Sequence, residues 1–191
     1  MLRWLYDKTI RPYLPRKVIV HNGVPARTGR LLDKRDHRMQ WESMLLAAIR
    51  NQYLEDCKII EVGGGLGICT AELAKRAGPN GKVISYEADT DRVETMKETL
   101  KLNRVRDAVE VKDQYVDSLD QDCDVLVLDC EGAEQQILSK EDYGNPDTII
   151  VETHPVFDVP TEEIKNILKN DGYTIVNIRE GSNIDIIEAY S

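Results

Sequence analysis

The chain lacks the usual marks of a membrane-spanning, secreted or zinc-scaffolded protein. In 191 residues no apolar run approaches the roughly 18–20 residues that a membrane-spanning helix needs. Met1 to Tyr13 contains Arg3 and Lys8 but no apolar core and no small-residue cleavage site, so a secretory signal is not expected there. The four cysteines, Cys57, Cys69, Cys123 and Cys130, form no CxxC pair, and no histidine stands at zinc-finger spacing. Three of them lie in or beside apolar segments, where a free cysteine behaves as a small core residue. A reducing, cytoplasmic setting is expected, without a disulfide framework or structural zinc. Aromatic residues are only 6%, which leaves few platforms for stacking nucleic-acid bases. Repeats and low-complexity tracts are absent. Of the three histidines, His21 and His37 read as surface residues.

What is present is charge, unevenly spread. Residues 1–50 carry 11 basic against 4 acidic side chains, and residues 51–191 carry 14 against 30, within a net charge of −9. An acidic body disfavours general nucleic-acid affinity, because phosphate binding wants a basic face. The basic first quarter is suited to steering an anionic substrate, touching an acidic membrane surface, or pairing with the acidic body.

The length fits one domain with a proper core. Residues 1–55 read as a basic segment plus a helix belonging to the same unit, and 56–191 as the main domain. Pro12, Pro15, Pro25, Gly23 and Gly29 make the first 35 residues irregular, apart from a strand at 17–20 running into the Asn22-Gly23 turn. Apolar residues at helical spacing predict a helix over 36–54. Strands and helices then alternate: strands at 58–62, 83–86, 108–112, 124–129 and 148–151, and helices at 66–77, 90–102, 133–139 and 161–170. Strands at 173–178 and 184–189 follow, joined by too few residues for a crossover helix, so they must pair antiparallel. The expectation is an α/β fold, a doubly wound Rossmann-like sheet of about seven strands, mostly parallel with one antiparallel strand in the edge region.

In such a sheet ligands bind past the carboxyl ends of the strands, where strand order reverses. The first strand of the alternation ends in Glu61-Val62-Gly63-Gly64-Gly65-Leu66-Gly67. Glycines there let the backbone turn sharply and approach a ligand. A pyrophosphate needs a free helix N-terminus, whereas a cationic sulfonium with an amino-acid tail tolerates the acid ahead of these glycines. The Glu-x-Gly-x-Gly-x-Gly spacing resembles the first motif of class I methyltransferases, which with the end of the fourth strand, Asp129 to Glu134, prefers S-adenosylmethionine to NAD. Glu87, ending the next strand with Ala88 beside it, suits the two ribose hydroxyls. Asp113, with Gln114 as rival, suits the adenine edge. The expected cofactor contacts are therefore Glu61, Gly63, Gly65, Gly67, Glu87, Ala88, Asp113 and Asp129.

Methyl transfer to a hydroxyl needs alignment and a base. Asp129, Glu131 and His154 project from adjacent strand ends toward one crevice, and any of them could take the proton. The order of preference is His154, whose side-chain type titrates near neutrality, then Asp129, then Glu131. Blander roles compete. Asp129 could cap a helix, Glu131 and Glu134 could favour a helix N-terminus electrostatically, and His154 before Pro155 could only shape a turn. Asp129, Glu131, Glu152 and His154 could also hold a divalent cation, although none is expected.

The runs Asp129-Cys130-Glu131-Gly132-Ala133-Glu134 and Glu152-Thr153-His154-Pro155 resemble those of the FkbM family of class I S-adenosylmethionine-dependent methyltransferases. Tyr86-Glu87-Ala88-Asp89 with the helix to Leu102-Asn103 is similar too, although the family's usual proline is here Ala88. Gly64-Gly65 stands where the family more often has Ala-Asn, and Trp41-Glu42 faintly resembles an upstream family element. The resemblance covers roughly residues 56–178 and implies O-methylation of a sugar, polyketide hydroxyl or comparable small acceptor. Two other readings compete. A nucleic-acid methyltransferase would use residues 1–50 as a docking arm, but the Asn/Asp-Pro-Pro-Tyr run of base amino methylation is absent. A cofactor-binding protein without catalysis would not need an acid at every strand end. The sequence carries no code for the acceptor or the oligomeric state.

Overall fold

The computed structural model describes residues 4–5, 9–30, 42–119, 121–130, 132–140, 143–154, 160–181 and 183–191. β1 (Arg16–His21) and β2 (Val24–Arg30) form a separate antiparallel hairpin. Its turn residues Asn22 and Gly23 sit at φ +48° and +89°, the left-handed backbone that tight two-residue hairpin turns require. Pro25 and Gly29 predict an irregular chain over 24–30, where the structure has β2. A two-stranded ribbon is all edge, so the missing N–H of Pro25 interrupts no central ladder. Strand alternation also turns His21 inward, opposite the exposed Val20, so it is buried rather than at the surface as expected. His37 lies outside the described residues.

The main sheet comprises β3 (Lys58–Val62), β4 (Lys82–Glu87), β5 (Val109–Asp113), β6 (Val125–Leu128), β7 (Thr148–Thr153), β8 (Thr174–Glu180) and β9 (Asp185–Tyr190). Its order is β5-β4-β3-β6-β7-β9-β8. All pairings from β5 to β7 are parallel, and β9 runs antiparallel between β7 and β8. This is the expected doubly wound sheet with one reversed strand near its edge. Helices cover it, among them α1 (Ser43–Arg50), α2 (Ile68–Ala77), α3 (Thr90–Leu102), α4 (Glu134–Leu138) and α5 (Thr161–Asn170). Residues 36–41 of the expected first helix lie outside the described residues, and 51–54 leave the helix.

The strands are apolar on both faces because helices cover both. Ile59, Val83, Val125, Val127 and Ile150 pack with Leu45, Ile49, Leu73, Met96 and Leu100 of α1, α2 and α3. Their neighbours in sequence, Ile60, Ile84, Leu126, Leu128, Ile149 and Val151, pack on the other side with Ile137, Ile164 and Leu168 of α4 and α5. The hairpin lies on α3. The Arg27 N–H donates to Thr99 Oγ1 at 3.0 Å, and Asn103 Nδ2 donates to the Pro25 carbonyl at 2.6 Å. No helix among the described residues is long and apolar enough to cross a membrane.

Candidate functional site

The chain runs from β3 outward to β4 and β5, then returns to place β6 against the other side of β3. Strand order reverses there, and a cavity of about 790 Å³ opens above the strand ends. That volume falls in the range of small-molecule and cofactor sites, about 300–1,000 Å³.

The glycine loop forms its floor. Gly63, at φ +95°, presses its backbone against Asp129, and an added Cβ would overlap the Asp129 carbonyl. Gly63 and Gly64 donate their N–H groups to the Tyr86 carbonyl at 2.9 and 3.0 Å, which ties the loop to the end of β4. Glu87 ends that strand, nearly buried. Its Oε2 accepts the Gly65 N–H and its Oε1 the Asp89 N–H, both at 2.8 Å. An ionised carboxylate offers about four acceptor positions, so each oxygen keeps capacity for a ligand hydroxyl. Asp89 in turn caps α3, accepting the N–H groups of Asp91 and Arg92. A bare backbone beside a carboxylate that faces the cavity fits a nucleoside ribose with an amino-acid tail laid along the loop.

At the ends of β6 and β7 the cavity is acidic around one imidazole. His154 is buried, and its Nδ1 lies 3.1 Å from Glu134 Oε1. Its Nε2 lies 3.6 Å from Asp129 Oδ1 and 3.5 Å from Glu152 Oε1. Glu134 has no exposed surface, and its oxygens also accept the N–H groups of Cys130 at 3.1 Å and Gly132 at 2.9 Å. Burial alone would raise the Glu134 pKa, but the hydrogen bonds from His154 and the loop N–H groups outweigh it and hold the carboxyl below its usual value. Asp129 goes the other way: burial, then the charges of Glu152, Glu42, Glu134 and Glu61, push its carboxyl well above the ordinary range.

Of the expected site residues, Gly63, Gly65, Glu87, Ala88, Asp129 and His154 line the one cavity, together with Gln114, the rival to Asp113. Three expected cofactor contacts are placed differently. The Glu61 carboxylate turns beneath the loop, accepting hydrogen bonds from Thr70 at 2.6 Å and Ser85 at 2.5 Å, so it braces β3 against α2 and β4. Gly67 starts α2, and a Cβ there would come within 2.8 Å of Met96 Cγ; its bareness serves helix packing. Asp113 accepts a hydrogen bond from Thr90 at an exposed position away from the cavity lining. Glu131 lies outside the described residues, as does Pro155. Asp129 does not cap α4, whose N-cap position is Ala133.

Two further groups of residues line the cavity. Glu42 reaches the cavity from the start of α1, in a left-handed backbone (φ +62°) that costs a non-glycine residue roughly 1–2 kcal/mol. Its carboxyl is raised to about 7 by burial and by the charges of Glu61 and Glu152, against the opposing contact with Cys69, whose Sγ lies 3.5 Å away. Arg11, Arg16, Arg30 and Arg92 form another part of the wall.

The family model described as a methyltransferase domain matches residues 54–185. The chain belongs to that methyltransferase family. Its cofactor is S-adenosylmethionine, and the glycine loop with Glu87 fits that group. Solved structures of the same fold include a SAM-dependent methyltransferase from Aquifex aeolicus, at 16% identity and TM-score 0.60, covering 78% of this chain and 88% of that one. Another is the ribosomal protein L11 methylase of Lactobacillus delbrueckii subsp. bulgaricus, at 14% identity and TM-score 0.63, covering 80% and 78%. A third is the precorrin-6y C5,15-methyltransferase of Geobacter metallireducens GS-15, at 17% identity and TM-score 0.62, covering 83% and 93%. At these identities the likeness to solved structures is one of fold. No curated protein sequence matches the chain significantly. The methyltransferase thus has a defined cofactor, while the names of its structural neighbours span rRNA, protein and small-molecule methylases.

Proposed function

We propose that this methyltransferase is an O-methyltransferase of the FkbM type, acting on a hydroxyl of a sugar or other small acceptor, with His154 as the base. The observation that carries the reading is the contact between His154 Nδ1 and the fully buried Glu134. A carboxylate held below its usual pKa accepts the Nδ1 proton, which leaves Nε2 as the basic nitrogen on the cavity side. This is the arrangement by which a buried acid orients a histidine toward a hydroxyl.

S-adenosylmethionine, when bound, supplies a methyl carbon already activated by its sulfonium. The chain contributes alignment and proton removal. The glycine loop and Glu87 fix the cofactor, and the ends of β6 and β7 present Asp129, Glu152 and His154 beside the place for the acceptor. At the acceptor hydroxyl the chain's own part is proton removal, which Nε2 of His154 would carry out. Asp129, whose carboxyl is pushed up by burial and then by the charges of Glu152, Glu42, Glu134 and Glu61, lies 3.6 Å from Nε2. The acidic body and scarce aromatics favour a small acceptor over a nucleic acid.

Asp129, Glu152 and His154 offer ligand atoms within 4.8 Å of one another, so metal dependence needs its own control. The test is turnover with S-adenosylmethionine against matched hydroxyl and amine acceptors, with and without a chelator. Methyl ethers formed equally well in chelator support the reading. An N-methyl product, or activity that a chelator abolishes and a divalent cation restores, overturns the acceptor or the base assignment respectively.

A further inference from the structure

The β1–β2 hairpin sits on the fold without joining its sheet; among the described residues its strands pair only with each other. A lone two-stranded ribbon is marginally stable in water, so its order depends on what its inner face buries. Four of its residues are buried, His21, Val24, Ala26 and Thr28, each exposing 1% or less. Val24 and Ala26 join the core with Leu45, Leu73 and Leu100, but both are small. The other two are polar and unsatisfied. Neither ring nitrogen of His21 nor the Thr28 hydroxyl has a hydrogen-bond partner. Burial lowers the His21 pKa, so the ring is neutral and encloses one N–H donor and one bare acceptor nitrogen. A buried polar group without a partner carries its full desolvation penalty. Half of the hairpin's buried residues therefore oppose its docking.

Polar contacts hold the hairpin against its supports. β2 packs on α2 and α3. Besides the ties from Arg27 to Thr99 and from Asn103 to Pro25, Arg50 Nη2 donates to the Asn22 carbonyl at 2.9 Å. Glu98 pairs with Arg16 at 3.4 Å and with Arg27 at 3.8 Å, but Glu98 is half-exposed, and such surface pairs add little. The turn thus rests on α1, while the open end lines the cofactor cavity with Arg16, Gly29 and Arg30, the two arginines facing each other across the strands. Weakly held elements beside a ligand cavity are those that proteins use as lids. We propose that the β1–β2 hairpin is a lid, which undocks from α2 and α3 as a unit to let S-adenosylmethionine in and S-adenosylhomocysteine out. The unsatisfied groups of His21 and Thr28 keep the closed state shallow enough to open. The lid belongs to cofactor exchange and is independent of which acceptor is methylated.

Hydrogen exchange of the full, ligand-free chain measures the undocking. Ladder amides of β1 and β2 should exchange at least about 100-fold faster than those of β3 and β6. Thr28→Val and, separately, His21→Leu remove the unsatisfied groups at similar volume, and neither residue lines the cavity. Each should slow exchange of the hairpin about tenfold. Stopped-flow binding of S-adenosylhomocysteine then reads the gate. Because both variants favour the closed lid with and without ligand, association and dissociation should slow by the same factor, about tenfold, with affinity kept within about twofold. Wild-type hairpin amides as protected as those of β3 and β6 would overturn the lid. Slower hairpin exchange with unchanged ligand rates would overturn it too, since the hairpin would then move without gating the cavity. Faster hairpin exchange in both variants would mean that His21 and Thr28 favour docking, which is the opposite of the proposal.

Discussion

His154 Nδ1 lies 3.1 Å from Oε1 of Glu134, a carboxylate with no exposed surface that also accepts two loop N–H groups. That contact fixes the ring more firmly than the 3.5 and 3.6 Å separations on its other nitrogen. Removing the ring with His154→Ala is expected to lower turnover roughly 100–10,000-fold, the usual worth of general base catalysis. S-adenosylhomocysteine affinity should stay nearly constant. Glu134→Gln keeps the shape but removes the charge, so kcat should fall and the acidic, rising limb of the pH–rate profile should move to lower pH. An unchanged profile in Glu134→Gln would remove the orienting role.

Glu87 offers a second expectation, on cofactor affinity alone. Its carboxylate anchors the Gly65 N–H at 2.8 Å and faces the cavity. Glu87→Ala should weaken S-adenosylmethionine binding by about 1–3 kcal/mol, as for lost hydrogen bonds to a charged group. Isothermal titration reads this directly, and wild-type affinity in the variant would place the ribose elsewhere.

Gly63 tests the loop backbone. At φ +95° and in contact with the Asp129 carbonyl, it has room for no side chain. Gly63→Ala should destabilise the fold by about 3 kcal/mol, because it combines strain with a backbone clash in the sheet's centre. Thermal unfolding measures it. Gly78→Ala is a fair comparison, since a Cβ there meets nothing within 4 Å and only the backbone strain of its φ of +72° remains.

Much of this architecture is legible in the residues themselves. Continuous apolar strands such as Val125–Leu128, separated by capped or glycine-ended helices, specify a doubly covered sheet, and the short link between β8 and β9 forces their antiparallel pairing. Asp129, Glu87 and His154 are readable as site residues because each stands at the end of a strand, where the fold opens its crevice. Glu61 misleads for the same reason. It belongs to the strand itself, so its side chain turns under the loop toward Thr70 and Ser85 instead of lining the cavity. Glu42 and the arginines are hidden for the opposite reason. Glu42 reaches the cavity from a helix start, Arg11 from a 3-10 turn, Arg16 and Arg30 from a hairpin and Arg92 from the first turn of α3, and no strand-end pattern marks residues brought in by tertiary packing.

Glu42 is expected to make cofactor binding sensitive to pH. Burial, reinforced by the charges of Glu61 and Glu152 and opposed by Cys69, raises its carboxyl from 4.5 to about 7, so it ionises between pH 6 and 8. A folded-state pKa above the unfolded value means that the folded chain binds more protons. This group's contribution to stability is therefore present at low pH and is lost as pH rises from about 4.5 through about 7. A bound sulfonium reverses the preference, because a cation nearby favours the carboxylate. S-adenosylmethionine should accordingly gain affinity from pH 6 to pH 8, and S-adenosylhomocysteine, whose sulfur is neutral, should gain less. The ratio of the two affinities is expected to rise by about tenfold, the effect of one pKa unit of coupling. Glu42→Gln should flatten that ratio and raise the unfolding temperature of the ligand-free chain relative to wild type at pH 8 more than at pH 6. A ratio that changes with pH equally in wild type and Glu42→Gln would place the titrating charge on another carboxyl of the cluster, with Asp129 the next to substitute.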